Sequence, residues 1–335
     1  RFKCDWSSDV CSSDLGRFIP AYFKAEGSAS LKPSCGNAFS YQGQPMSFAS
    51  SLQPSLTVTA YSRLHNVTRN YDRPGFWKLA APVVGSYASV TAELLDPAAP
   101  NHASAVERDA RLASQGTPVL AVTGADDGDG ARQYTWSGQE LLYAQPLVPG
   151  LADYPFRARI RQGFSTASLT DPEGVCHGDG NSCQPYGYVF ADSPGSEVRL
   201  GRLRIGNAHG SELQGLSLPL LLESWRDMAG GSFQAETMDT CTVLGATSLG
   251  AFTGNLASGE TAPTTSEPLA GVGSLRLTAP GAGNDGSVRV GFPALPLWLQ
   301  YPWDGTVRQG ASGLATFGIY RGPAPLIFRR ELYRQ

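Results

Sequence analysis

Ser55-Leu-Thr-Val-Thr-Ala-Tyr61 sets Leu56, Val58 and Ala60 on one side of an extended chain and its threonines on the other. A strand has a side-chain period of two, so this run presents one dry face and one wet face, the mark of antiparallel β-structure. The same alternation recurs along the chain. Phe156, Ala158 and Ile160 interleave with Arg157, Arg159 and Arg161, and further strand-length runs lie at 274–279, 287–292, 297–301, 314–320 and 325–333. Thirty-nine glycines and 24 prolines punctuate these runs, as turns between short strands require. One helical pattern competes, over 101–115, where Val106, Ala110 and Ala113 follow a possible Ser104 cap. The prediction is an all-β protein of two or more antiparallel β-sandwich domains, immunoglobulin-like in type.

Over 197–207 the alternation changes phase. Val198 and Leu200 share one parity, whereas Leu203 and Ile205 share the other. One extra residue near Gly201, a bulge or a sharp bend, would return all four to a single face and leave Arg199, Arg202 and Arg204 in solvent. The turn-rich Ala191-Asp-Ser-Pro-Gly-Ser196 precedes this point. It divides the chain into a first β-region at 16–195, with room for two modules, and a second domain at 196–335. The stretch 253–268, rich in Ser, Thr, Gly and Pro, reads as a surface loop. Residues 1–15 stand apart. Cys4-Asp-Trp-Ser-Ser-Asp-Val-Cys-Ser-Ser-Asp-Leu15 reads as a translated sequencing-library adapter, suits neither a targeting segment nor a strand, and is set aside from the fold.

A net charge of −3 offers no general field for nucleic acid or an anionic membrane. No apolar run approaches the roughly 18–20 residues that span a bilayer. The chain carries no G-x-S-x-G elbow, H-E-x-x-H pair, P-loop or dinucleotide fingerprint. Its histidines, at 65, 102, 177 and 209, are far apart in sequence. The reading is therefore of a protein that binds rather than catalyses.

Outside residues 1–15 the cysteines are Cys35, Cys176, Cys183 and Cys241. Cys176 and Cys183 flank a loop short enough to close locally, so they are the expected disulfide; Cys35 and Cys241 are then partners or free thiols. Zinc is the competing use, but there is no C-x-x-C pair. Disulfides point to an oxidising compartment. Two acidic, glycine-rich loops offer hard oxygen ligands: Asp126-Asp-Gly-Asp-Gly130 and Asp171-Pro-Glu-Gly-Val-Cys-His-Gly-Asp-Gly-Asn181. Neither has EF-hand spacing. In the second loop a bridge would pre-order Asp171, Glu173, Asp179 and Asn181 as calcium ligands; an ordinary hairpin with solvated carboxylates is the alternative. Trp298, Tyr301 and Trp303 crowd beside Pro302, where indole faces could stack a sugar ring or a partner, or pack into a core.

Four blocks carry a resemblance: Cys35-Gly-Asn-Ala-Phe-Ser-Tyr-Gln-Gly-Gln-Pro45, Gly201-Arg-Leu-Arg-Ile-Gly-Asn-Ala-His-Gly-Ser-Glu-Leu213, Asp239-Thr-Cys241 and Ala315-Thr-Phe-Gly-Ile-Tyr-Arg-Gly322. Together they resemble the C-terminal region of MshQ-type proteins, large bacterial surface proteins encoded alongside the mannose-sensitive haemagglutinin type IV pilus system. The resemblance implies a non-catalytic structural or adhesive module located at the cell surface, outside the cell or in the periplasm. Its partners would be pilus or other cell-surface components. A carbohydrate-binding sandwich using Trp298, Tyr301 and Trp303 on glycans is the alternative.

Overall fold

The computed structural model describes residues 19–36, 39–90, 93–94, 110–146, 155–191, 197–226 and 231–318. The sequence runs at 1–15 and 325–333 lie outside these residues. What is described is nearly all β, with several antiparallel sheets packed against one another around three apolar cores. Among the described residues no helix is long and apolar enough to cross a membrane.

Ser55–Tyr61 is a strand, and Leu56, Val58 and Ala60 are its fully buried face. It pairs with Tyr22–Ser28 on one side and Ala131–Ser137 on the other, and Val119–Thr123 closes the sheet at the edge. Phe23, Leu56, Val58, Tyr134 and Trp136 from this layer meet Phe164, Leu169 and Val175 in one core. A second core sets Met46, Leu141 and Tyr143 against Phe156, Ile160, Phe190 and Val198. Tyr188 packs against both cores, so the two adjoin within the first half. Within it Leu112–Gln115 is a strand beside Glu140–Tyr143, not the last turn of the helix expected over 101–115; residues 101–109 lie outside the description. The edge of Glu140–Tyr143 offered backbone partners that a weak helical pattern could not outweigh.

The third core lies between two sheets of the second half. Leu203, Leu218, Leu220, Leu222 and Leu275 come from one, and Val288, Val290, Ala315 and Phe317 from the other. Two expectations fail here. Pro263–Leu269 is a strand paired with Val272–Leu277 rather than loop, because an edge position tolerates proline at its first residue and suits Thr264 and Thr265. Ala270 and Gly271, with φ of 51° and 79°, form the tight turn that joins the two strands. Leu297–Leu299 is a 3₁₀ turn following Pro296 instead of a strand, which buries Leu299 and exposes Leu297.

The phase slip near Gly201 has a different origin from the one expected. Glu197–Arg199 pairs with Phe39–Tyr41 and Phe156–Arg157 in a sheet of the first half. After Leu200 the chain enters Gly201–Ile205, which pairs with Leu216–Arg226 in the second. Val198 belongs to one core and Leu203 and Ile205 to another. The apolar parity changes because the core changes. Gly201 is needed at this crossing, since a Cβ there would lie 2.3 Å from the Tyr41 ring.

Candidate functional site

Cys176 and Cys183 form a disulfide with their Cα atoms 5.4 Å apart. Beside it His177 bridges to Phe23 in the first sheet, and its Nδ1 accepts the Ala25 N–H at 3.2 Å. The loop is therefore tied to the sheet through a neutral imidazole. Burial lowers the His177 pKa from its ordinary 6.5, against the raising effect of a hydrogen bond to the Phe23 backbone. At pH values above 6.5 both folded and unfolded states are neutral at this residue. Below it the unfolded chain takes up the proton first, so stability falls with pH until the folded residue is protonated too. His177→Gln is expected to flatten the stability change between pH 7 and pH 5, measured by urea unfolding at each pH. The bridge closes a short loop, so Cys176→Ser/Cys183→Ser should cost only about 2 kcal/mol in the chain-entropy model. The same urea midpoints read that loss.

The calcium ligands expected around this bridge are placed as follows. Asp171 is buried; its Oδ1 accepts the N–H groups of Glu173 and Val175, both at 2.9 Å, and its Oδ2 accepts the Tyr71 hydroxyl at 2.6 Å. Asp179 is exposed at the loop tip, where N–H groups of Asn181 and Ser182 reach its Oδ1 and hold its carboxyl below the usual range. Asn181 meets Asp179 through its backbone. Among the described residues Asp171, Glu173 and Asp179 do not form a converging group of ligand atoms. Asp171 instead organises its own turn.

Tyr301 and Trp303 do come together, with ring centroids 5.1 Å apart, and Phe233 lies 5.3 Å from Tyr301. The space over them holds Arg202. Its guanidinium carbon is 3.7 Å from the Phe233 centroid, 4.9 Å from Tyr301 and 5.1 Å from Trp303. Glu223 holds that cation in place at 2.8 Å. An arginine on aromatic faces gains a cation–π attraction and covers ring surface that a sugar would stack on. Trp303 nevertheless keeps 41% of its surface exposed. Trp298 goes elsewhere: it packs on the third core, and its carbonyl accepts the Gln145 amide. The strand period alone puts Arg202 in solvent, because its aromatic partners lie 31 and about 100 residues away.

One polar constellation has no signal in the local sequence. It lies where the two halves join. Cys35 is bonded to Cys241 across 206 residues, with Cα atoms 4.9 Å apart. Cys35, Phe39 and Tyr41 are all buried in the core of the second half although they precede the first core's central strand. Tyr41 donates to Asp239 Oδ2 at 2.6 Å, and burial together with that carboxylate pushes its hydroxyl pKa up. Asp239 Oδ1 in turn accepts the N–H groups of Cys241 and Thr242, which presents Cys241 to Cys35. Beside this, Arg199 is only 4% exposed, which corrects its expected place in solvent; Arg204, at 50%, does face water. Arg199 spans Glu197 at 2.5 Å and Glu236 at 2.7 Å and lies over the Phe39 ring. Burial alone would lower its pKa, but Glu197 and Glu236 reverse that and keep it charged. Gln145 and Arg308 add a further link, the guanidinium donating to the Gln145 carbonyl.

Tandem β-sandwiches bonded covalently at their junction are thus the class of protein that this fold and this joint define. The chain belongs to the DUF6701 family: the model of the family's third domain matches residues 6–188, and that of its fourth domain matches residues 199–332. No curated protein matches it. Cys35 and Tyr41, Gly201, and Asp239 and Cys241 meet at the joint.

Proposed function

We propose that this chain is a non-catalytic structural or adhesive segment of a secreted or surface-anchored bacterial protein that works beside a type IV pilus. The observation that carries the reading is the joint. A disulfide spanning 206 residues and a buried ion-pair cluster tie one sandwich to the next, which suits a scaffold that must keep its shape outside the cell. Disulfides persist where thiols are oxidised, so they are compatible with an extracellular or periplasmic address. Three of the sequence blocks on which the expected MshQ-type likeness rests lie at this joint, which would make that likeness one of architecture, as a surface scaffold requires.

In a bacterium that encodes the protein, a tagged copy should be cleaved by protease added to intact cells. Deleting its gene should lower pilus-dependent attachment. A tag protected in the cytoplasm, or attachment unchanged by deletion, would overturn the proposal. The exposure of Trp303 keeps a carbohydrate-binding reading in play. Retention of the purified chain on a glycan array, lost in Trp303→Ala, would favour it over a purely structural role.

A further inference from the structure

At one corner of the first sandwich the 3₁₀ turn Arg69–Asp72 meets the loop 124–130 between strands Val119–Thr123 and Ala131–Ser137. Asp72 has no exposed side-chain surface. Its Oδ1 accepts Arg132 Nε at 2.6 Å, but its Oδ2 is buried without any hydrogen-bond partner. Ligand oxygens of Asp72, Asp127 and Asp129 all lie within 4.8 Å of one another. In Asp127 and in Asp129 one oxygen accepts a backbone N–H, from Asp129 and Ala131 respectively, which leaves a second oxygen on each. Thr68, at the start of the same turn, also has a buried hydroxyl oxygen without a partner.

Three carboxylates this close repel one another, and a buried carboxylate oxygen without a donor carries an uncompensated desolvation cost. The local cations relieve only part of this. Arg132 is shared between Asp72 and Asp126, at 2.6 and 2.7 Å. Arg73 lies near Gly128 and donates to Asn70. Neither supplies the missing partner of Asp72 Oδ2. A divalent cation would satisfy that oxygen and neutralise Asp127 and Asp129 in one step. All the available donors are hard oxygens in an irregular arrangement, which suits calcium better than zinc or octahedral magnesium.

We propose that Asp72, Asp127 and Asp129 form a calcium site, completed by backbone carbonyls and water, which staples the 3₁₀ turn to the hairpin loop. Two of the three ligands are exposed, which places its affinity in the ~0.1–1 mM range of extracellular modules.

Terbium tests this on the intact chain, because Trp77 stands close enough to sensitise it: the Arg132 guanidinium that bonds Asp72 lies 4.8 Å from the Trp77 ring centroid. Terbium emission under tryptophan excitation should rise on titration and fall again as calcium is added. Asp127→Asn/Asp129→Asn alters only exposed side chains and should abolish the signal, whereas Asp179→Asn, in the other acidic loop, should leave it intact. At roughly 10 mM calcium the wild-type melting temperature should rise by about 2–4 °C and that of the double variant should not. Emission that survives in the double variant, emission lost in Asp179→Asn, or a calcium-independent melt would each overturn the proposal.

Discussion

Unfolding of Cys35→Ser/Cys241→Ser in urea is expected to require about 5 kcal/mol less than unfolding of the wild type, because the closed loop is so long. Cross-linking residues 206 apart removes far more freedom from the unfolded chain than closing a loop of a few residues does. The loss should not be spread evenly. Cys35, Phe39 and Tyr41 sit in the core of the second half, so releasing Cys35 frees a segment that this core depends on. A protein with several cores need not unfold in one step. The transition should therefore be followed through Trp225 and Trp298, which report on the second half, against Trp136 in the first. A loss no larger than that of Cys176→Ser/Cys183→Ser would refute the argument.

Glu236→Ala should cost about 3–5 kcal/mol, the range for removing one partner of a buried ion pair. The Glu236 carboxylate is wholly buried and receives four donors: Arg199 and the Met238 N–H on Oε1, Ser224 and Arg226 on Oε2. Arg226 can turn to water, being 25% exposed; Arg199, at 4%, cannot. The destabilisation is thus that of a buried guanidinium left with Glu197 alone beneath Phe39. Two checks separate this from a surface effect. The cost should change little between low and high salt, since buried pairs are poorly screened. Adding Arg199→Met to Glu236→Ala should recover part of the loss, because an apolar chain of similar length removes the half-paired buried charge and leaves Glu197, at 16% exposed, to reach water. A double variant as unstable as the sum of the single ones would argue against the pairing.

Much of this architecture could be read from local pattern. The strand at 55–61 was legible because each side chain's fate follows from its own place in a period of two. The closure of Cys176 on Cys183 was legible because six residues separate them. The limits appear wherever the deciding partner is remote. The phase slip at Gly201 was visible, but its cause, a change from one core to another, lies in strands at 39–41 and 216–226. Nothing near Arg199 announces Glu236, and nothing near Arg202 announces Phe233, Tyr301 and Trp303. The acidic loop at 126–130 stood out, whereas Asp72, 54 residues earlier, looked like any polar residue in a turn. Leu297–Leu299 misled because alternating apolar and aromatic residues fit a strand, until Pro296 set the backbone for a tighter turn.

The bridge between Cys35 and Cys241 also decides how the molecule would carry load. A pull applied from before Cys35 and from after Cys241 runs through two sulfur atoms and bypasses everything between them. The bypassed stretch, 206 residues by sequence separation, holds most of both first-half cores, all but Phe23, Ala25 and Leu31, and a slack of about 700 Å if drawn out. While the bond is intact that slack is locked away, and the strand crossing at Leu200 never feels the tension. Once it is reduced, the same pull would reach Glu197–Arg199 and peel the joint open. One covalent bond thus separates a short, stiff tether from a long, yielding one.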